Sequence, residues 1–539
     1  MREPRALNRL KLGPIVGHTS DTSTRIWVQV YDDPTDYALR VHGGGIFPFE
    51  STEGGQLEFR TGLAVAEGLR SDWRYRYSVL RRGRSVAGAR GTFRTMPVPG
   101  SMASLLVAVI SCSTTKYLGL WPRFAQFVEH AKPHFVLMVG DQLYVDEDLP
   151  DVFRDHLESK RHVRRRALAE KYRLNWVREP VRKVMANVPV YMMWDDHDIR
   201  DGFGSMAAES PTLRAKYPKG ESIFVKNNAF FEDARDAYWH FQGCRNPRSV
   251  PVEALVSDPP FPGERKAMPF TLRCGRLAVL VIDSRGARDV FRNEFPALGA
   301  DQWTFIQKTI DALPHDVEAL AIVTPTPIAS MDATGQVQRL LGDRTDDVQA
   351  FKRGRLKSAV SPSSGGIEEV PATIANVHLS RVTGIPFNLG RYKVSNIDEA
   401  RDQWCHKFVR AEQIDLLRAA ARARSTNMQG DAKRSIVFLS GDIHVGAIFD
   451  MEWSKPEFKA VSLTASGISA QEDELVTVGV FVDENVRAGN VRSTLRDIVR
   501  EFNFGIVQVI PTGTGAQIES ALSHEGASWN LGADLRNLL

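Results

Sequence analysis

Residues 139–145 read Val-Gly-Asp-Gln-Leu-Tyr-Val, and they follow a short apolar run at 134–138 that reads His-Phe-Val-Leu-Met. A short apolar run of this kind is typical of a buried parallel strand. The run stops at a glycine, which places Asp141 and Tyr144 beyond the carboxyl end of the strand. Open α/β sheets form their functional sites at that end. Many buried strands end in Gly-Asp only because the chain turns there, so this motif alone does not indicate a functional site. The residues at the other strand ends are needed to interpret it.

Three further predicted strands end in chemically reactive residues. The strand at 105–113 ends in Cys112, the strand at 189–198 in Asp-Asp-His-Asp, and the strand at 435–445 in Gly-Asp-Ile-His. Because the carboxyl ends of parallel strands meet at one edge of a sheet, we expect these side chains to converge. Carboxylates together with thiol, imidazole and phenol groups favour a metal site with more than one ion.

The donor types indicate the kind of metal. Asp141 and Tyr144 lie three residues apart on a turn, so both can point at one ion. A phenolate favours a hard, highly charged ion such as ferric iron, although Asp141 could instead cap a helix and Tyr144 could simply pack. The run at 195–198 places three carboxylates around His197, and a bound cation relieves such crowding of charge. A solvated acidic loop would tolerate the same residues.

Other candidate residues also have plain structural alternatives. Asp442 and His444 alternate along an extended stretch, so their side chains share one direction, but they could be a cap and a core histidine. Cys112 could be a small buried hydrophobe rather than a ligand. Arg285 ends another predicted strand and could hold a substrate anion through two hydrogen bonds, or it could form a surface ion pair.

Length and composition exclude several classes of protein. A chain of 539 residues predicts two or more domains. The net charge of +4, from 69 basic and 65 acidic residues, gives no support for a stable nucleic-acid complex. The four cysteines form no Cys-x-x-Cys pair, which excludes a zinc ribbon and argues against a disulfide framework. No Gly-Lys-Ser/Thr loop or Gly-x-Ser-x-Gly elbow occurs.

The sequence shows neither an apolar membrane span nor a signal peptide. We therefore expect a cytoplasmic protein from the chain as written, or a secreted or periplasmic one if the chain is a processed form. Residues 1–96 alternate polar with apolar or aromatic positions, which predicts a small all-β sandwich of immunoglobulin or fibronectin type. A linker at 97–100 precedes a layered α/β domain at 101–539, in which 331–404 is predicted to be an insertion.

These residues resemble the PhoD-like (alkaline phosphatase D) family, a branch of the calcineurin-like metallophosphoesterases, over nearly the whole chain. The first domain resembles the family's sandwich in Trp27, Tyr77 and residues 91–95. The matching motifs of the second are Ser-Cys at 111–112, Gly-Asp-Gln-Leu-Tyr-Val-Asp at 140–146, Trp-Asp-Asp-His-Asp at 194–198, Asp-Ser-Arg at 283–285, Gln-Trp at 302–303, Asp-Gln-Trp at 402–404 and Leu-Ser-Gly-Asp-Ile-His at 439–444.

The resemblance implies a layered calcineurin-like metallophosphatase fold and a set of ligands. Cys112, Asp141, Tyr144 and one group of the last motif would hold iron, with Asp141 bridging to a second ion. Asp196 takes the place of an Asn, and Asp442 that of a His, in wider relatives, which makes the second site rich in oxygen and suited to calcium, magnesium or manganese. The full set of expected metal ligands is Cys112, Asp141, Tyr144, Asp196, Asp442 and His444.

The expected function is metal-dependent hydrolysis of a phosphomonoester or phosphodiester, with a metal-bound hydroxide attacking phosphorus. His197 is the expected proton donor to the leaving oxygen, and Arg285 is expected to bind phosphoryl oxygens. Iron plus calcium is the expected metal pair, with manganese, magnesium or zinc as alternatives. Nucleotide- or lipid-derived diesters and triesters, and a degenerate protein that only binds, remain alternatives. The partner is a small phosphate ester, and the sequence leaves the oligomeric state open.

Overall fold

The computed structural model describes most of the chain, namely residues 9–53, 58–146, 148–200, 202–203, 221–248, 267–288, 297–334, 358–359, 367–369, 393–395, 402–406, 409–470 and 482–525. In this described part of the chain, no helix combines the length and the apolar character that a membrane crossing needs. Most of the predicted insertion at 331–404 lies outside the described residues. Its described pieces include three short strands that pair in antiparallel fashion, β15 (Ser358–Ala359), β16 (Ile367–Glu369) and β17 (Lys393–Ser395).

The first part of the chain is all β, as predicted. Its strands form two four-stranded antiparallel sheets, in the orders β1-β2-β6-β5 and β4-β3-β7-β8. Alternate residues of β7 are buried, as expected of strands with one face on a core. The strands are β1 (Leu12–Thr19), β2 (Thr24–Gln29), β3 (Tyr37–Val41), β4 (Gly45–Pro48), β5 (Glu50–Ser51), β6 (Thr61–Ala66), β7 (Arg74–Arg81) and β8 (Arg84–Arg94).

The second part of the chain contains two mixed sheets with helices, which confirms the predicted α/β class. A five-stranded sheet has the order β11-β10-β9-β23-β24, and an eight-stranded sheet the order β12-β13-β14-β18-β20-β19-β22-β21. Its strands are β9 (Leu105–Ile110), β10 (Phe135–Val139), β11 (Val190–Met193), β12 (Phe270–Cys274), β13 (Leu277–Val281), β14 (Ala319–Val323), β18 (Ser435–Ser440), β19 (Gly446–Ser454), β20 (Glu457–Thr464), β21 (Asn485–Ala488), β22 (Val491–Val499), β23 (Asn503–Pro511) and β24 (Ala516–His524).

The second part of the chain also contains helices, and apolar residues of several of them join the cores of the two sheets. The helices are α1 (Trp121–Ala131), α2 (Val152–His156), α3 (Arg161–Trp176), α4 (Glu179–Met185), α5 (Glu221–Phe241), α6 (Gly299–Asp311) and α7 (Arg410–Ala423). Strand β14 shows why the runs are apolar throughout. Its residues Ala319, Ala321 and Val323 join the core between the two sheets. Its residues Leu320 and Ile322 join the core under α6 and α7. A strand buried on both faces needs apolar residues at every position.

The two parts of the chain share packing. Trp27 and Phe59 of the first part belong to the same apolar core as the five-stranded sheet. The Tyr77 hydroxyl donates a hydrogen bond to the Ala186 carbonyl at 2.9 Å, and a Cβ atom on Gly91 would collide with that carbonyl. The division into 1–96, a linker at 97–100 and 101–539 stays a prediction. The contacts above make the first part a support for the strands that carry the site.

Candidate metal centre

The candidate residues lie just beyond the carboxyl ends of four strands from both mixed sheets. Strands β9, β10 and β11 are parallel neighbours, and they are followed by Cys112, Asp141 and the acidic run at 195–198 respectively. Strand β18 belongs to the eight-stranded sheet and is followed by Asp442 and His444. The site therefore forms where the two sheets meet, at the carboxyl ends of the strands, where α/β sheets usually bind their ligands.

Two groups of ligand atoms share Asp141. The first group contains Cys112, Asp141 and His444, and the second contains Asp141, Asp195, Asp196 and Asp442. Within each group all ligand atoms lie within 4.8 Å of one another. One group mixes sulfur, oxygen and nitrogen donors, while the other offers carboxylate oxygen alone. A shared carboxylate between two such groups suits a pair of ions that differ in preference.

The backbone at this site adopts an unusual conformation. Four candidate ligands have left-handed φ angles, at 57° for Cys112, 52° for Asp141, 75° for Asp442 and 52° for His444. A residue other than glycine pays conformational energy on the order of 1–3 kcal/mol for such a backbone, and strained residues of this kind cluster at functional sites. The turns are also tightly packed, because a Cβ atom on Gly140 would lie 2.8 Å from Cβ of Asp195.

Buried carboxylate oxygens without donors show that the residues fit a cation. Oδ1 of Asp141 and Oδ2 of Asp195 are buried and accept no hydrogen bond from the described residues. Burial raises the pKa of Asp141, and the charges of Cys112 and Asp196 add to the increase. Burial likewise raises the pKa of Asp442, together with the charges of Asp195 and Asp196. An unpaired buried anion is costly, and a metal ion removes that cost.

The first group is arranged so that a thiolate is favoured. Burial raises the pKa of the Cys112 thiol, but the hydrogen bond and charge of His444, with hydrogen bonds from Ser111 and Ser466, lower it to about 6. Sγ of Cys112 lies 3.4 Å from Oδ2 of Asp141. The Tyr144 hydroxyl lies 2.6 Å from Nε2 of His444, so the structure brings this phenol to the same group. A thiolate is the form of cysteine that binds metals.

Asp196 was expected in the second group from the sequence, whereas Asp195 was not. The run of three carboxylates at 195–198 was the feature of the sequence that could have indicated Asp195. In the structure, two of the three belong to the second ligand group. Asp198 belongs to neither ligand group and accepts hydrogen bonds from the backbone N–H groups of Gln142 at 3.1 Å and Asp195 at 3.0 Å. Burial raises the pKa of Asp198 to about 8. For Asp196, burial opposes ionisation, but the charges of Arg285 and His197 bring its pKa below the usual value.

His197 lies beside the first ligand group. Its ring stacks on the ring of Tyr144 with 4.2 Å between centroids, and its Nδ1 lies 3.0 Å from Oδ1 of Asp146. The side chains of His197 and Asp146 are both buried. Asp146 was not identified as a functional residue from the sequence, although it ends the Gly-Asp-Gln-Leu-Tyr-Val-Asp motif. The pair fixes the orientation of the imidazole next to the candidate metal ligands.

Arg285 is fully buried, so a surface ion pair does not describe it. Its Nε pairs with Asp195 and its Nη2 with Asp402. The same Nη2 lies 3.5 Å from Oδ1 of Asp196 and 4.0 Å from Oδ1 of Asp442. The structure thus brings Arg285 to the second ligand group, where its described side-chain partners are carboxylates. Its predicted contact with substrate stays a prediction.

A family model described as PhoD-like phosphatase matches residues 107–509, well over half of the chain and every candidate ligand. The chain belongs to the PhoD-like phosphatase family. Membership supports a phosphatase, a hydrolase of phosphoric esters, and this resemblance was predicted from the motifs at the strand ends.

One solved structure supports the fold. A structure of PhoD is similar to this PhoD-like phosphatase with a TM-score of 0.55 and 14% identity, covering 97% of this chain and 92% of that one. This likeness confirms the predicted metallophosphatase architecture. A purple acid phosphatase from yellow lupin (Lupinus luteus) seeds matches with a TM-score of 0.46 and 10% identity, over 96% of this chain and 72% of that one, which is too distant to support an inference. No curated protein matches the chain.

Proposed function

We propose that this PhoD-like phosphatase hydrolyses phosphomonoesters or phosphodiesters at a centre that takes two metal ions. The observation that carries the proposal is the pair of buried ligand groups that share Asp141, with all atoms of each group within 4.8 Å. The left-handed backbone at four of the ligands supports it, because strain of this kind persists where function requires it. An intact ligand set counts against a degenerate protein that only binds.

The donor types support different ions in the two groups. Thiolate, imidazole and carboxylate from Cys112, His444 and Asp141, with the Tyr144 phenol alongside, suit iron. The four carboxylates of the second group suit calcium, with manganese, magnesium or zinc as alternatives. The bound ions would lower the pKa of an attacking water molecule and neutralise charge on the phosphoryl oxygens.

His197 is our proposed general acid. The hydrogen bond between Nδ1 and Asp146 at 3.0 Å orients the ring and favours the tautomer with a proton on Nδ1. Proton transfer to the leaving oxygen would then use Nε2 of the imidazolium. The carboxylate of Asp146 stabilises that imidazolium, so the pair can hold a proton until the ester bond breaks.

The proposal is tested by metal content and substrate preference measured on the same full-length protein. We expect two metal ions per chain by elemental analysis, and hydrolysis of both nitrophenyl phosphate and bis(nitrophenyl) phosphate at unequal rates. Removal of the ions with a chelator should abolish both activities, and returning iron with calcium or manganese should restore them. Activity that survives in a protein with less than one ion per chain would contradict the proposal.

A visible spectrum tests the role of Tyr144. If its phenolate binds ferric iron, the iron-loaded protein absorbs visible light through charge transfer from phenolate to iron. We expect Tyr144→Phe to lose or strongly shift this band. Tyr191→Phe is the matched control, because Tyr191 is equally buried while its hydroxyl contacts the backbone of Thr19 far along the chain. An unchanged band in Tyr144→Phe would make Tyr144 a packing residue.

A further inference from the structure

A buried guanidinium group lies close to the three carboxylates that belong to the second ligand group alone. The Arg285 guanidinium pairs with Asp195 and lies 3.5 Å from Asp196 and 4.0 Å from Asp442. A guanidinium is always charged and prefers carboxylates. Arg285 can therefore either organise this group for a metal ion or compete with the ion for the same oxygens. Its contacts outside the group decide between the two.

Asp402 holds Arg285 from outside the ligand group. It is buried, with 4% of its surface exposed, and one of its oxygens pairs with Nη2 of Arg285. Its other oxygen accepts a hydrogen bond from Nη2 of Arg288 at 3.0 Å. Nη1 of Arg285 donates to the Phe203 carbonyl at 3.1 Å. Asp402 thus balances two buried guanidinium groups and fixes the position of one of them.

The neighbours of Asp402 anchor the same short segment to the site. The Gln403 side chain donates to Oδ2 of Asp442 at 3.5 Å and accepts from the Ser330 hydroxyl at 2.7 Å. Nε1 of Trp404 donates to the Thr326 carbonyl at 3.2 Å. Three successive side chains, at 402–404, are therefore committed to the second ligand group and the strand ends around it.

We propose that Asp402 is a positioning residue for the second ligand group, acting through Arg285. Asp402 and Asp195 hold the guanidinium between them, so that Asp196 and Asp442 keep oxygens for a metal ion. This inference rests on the proposed two-ion function and gives Arg285 a different role from substrate binding. Without Asp402, Arg285 and Arg288 share one carboxylate fewer, and Arg285 turns to Asp196 and Asp442. The arginine would then compete with the ion and repel it.

Isothermal titration calorimetry of the metal-free full-length protein with Mn²⁺ measures how the substitution of Asp402 changes Mn²⁺ affinity. We expect Asp402→Asn to weaken Mn²⁺ binding to the second group at least tenfold. The visible band of added ferric iron should be unchanged, because the first group does not contact Asp402 in the described residues. Saturating Mn²⁺ should restore most of kcat without raising KM, which a residue that binds substrate would not allow.

Asp311→Asn is the matched control, since Asp311 makes an exposed ion pair with Arg422 and should bind Mn²⁺ as the wild type does. If Asp402→Asn does not fold by circular dichroism, Asp402→Glu keeps the charge and should weaken binding less severely. Equal Mn²⁺ affinity in the wild type and a folded Asp402 variant would overturn the inference alone. A wild type that binds no Mn²⁺ or iron would instead overturn the proposed function.

Discussion

Replacing Asp141 by Asn is expected to remove both metal ions and to lower kcat/KM by at least about 10³-fold. The two ligand groups share the carboxylate of Asp141. The amide keeps the shape of this side chain, but it loses the charge and replaces one oxygen with an NH2 group that cannot bind a metal ion. No other described residue belongs to both groups, so no single alternative ligand can replace it. Elemental analysis and steady-state kinetics on both nitrophenyl esters measure the two effects.

The same variant should be more stable than the wild type once metals are removed. Burial raises the folded-state pKa of Asp141, so the folded metal-free protein holds this proton more tightly than the unfolded chain does. Stability then falls as the pH rises above the unfolded pKa of about 4, whereas the amide of the variant cannot ionise. We expect metal-free Asp141→Asn to have the higher Tm at pH 7, with the difference vanishing towards pH 4.

Asp311→Asn separates these effects from the chemistry of the substitution itself, because it removes an exposed charge that pairs with Arg422. It should keep two ions, full activity and the wild-type dependence of Tm on pH. Asp141→Asn protein that retains two ions per chain would contradict the shared-ligand arrangement. A metal-free variant less stable than the wild type at pH 7 would show that the carboxylate stabilises the fold without a cation.

The strands and the edge of the sheet that carries the site could be predicted because they depend on local patterns. Strand β14 reads Ala-Leu-Ala-Ile-Val, and an apolar residue at every position follows from burial on both faces. Asp141 and Asp442 each follow such a strand closely, so their convergence follows from parallel topology. The bounds of the elements depend on where the strand pairing stops, and the predicted strand at 435–445 ends at Ser440 in the structure.

The finer assignments depend on contacts that have no local pattern. Asp195 pairs with Arg285, which is distant in sequence, and it still belongs to the second ligand group. Asp146 orients His197 across a separation of 51 residues. Asp402 pairs with Arg285, although the two residues are far apart in the sequence. Each of these residues occurs within one of the motifs at 140–146, 194–198 and 402–404. The motif predicts which part of the chain contributes to the site. The three-dimensional contacts determine which carboxylate belongs to a ligand group and which one pairs with another side chain.

His197→Ala is expected to keep both metal ions and to lose activity in a way that depends on the leaving group. A general acid contributes on the order of 10²–10⁴ in rate where the leaving oxygen needs a proton. An alkoxide leaving group needs one, whereas nitrophenolate leaves readily without it. We therefore expect a loss of at least about 10²-fold on an alkyl phosphate ester, and a loss at least about tenfold smaller on nitrophenyl phosphate.

The position of His197 makes the comparison informative. Its ring lies on Tyr144 and is oriented by Asp146, so removing it leaves the ligand groups themselves intact. Asp146→Asn should show a weaker version of the same selectivity, because it disturbs the imidazolium without removing it. The exposed His130 supplies a control, and His130→Ala should change activity on neither substrate.

Equal losses on both esters would assign His197 to orientation or phosphate binding. Loss of a metal ion from His197→Ala would make His197 a ligand, and the division of roles within the run at 195–198 would then be wrong.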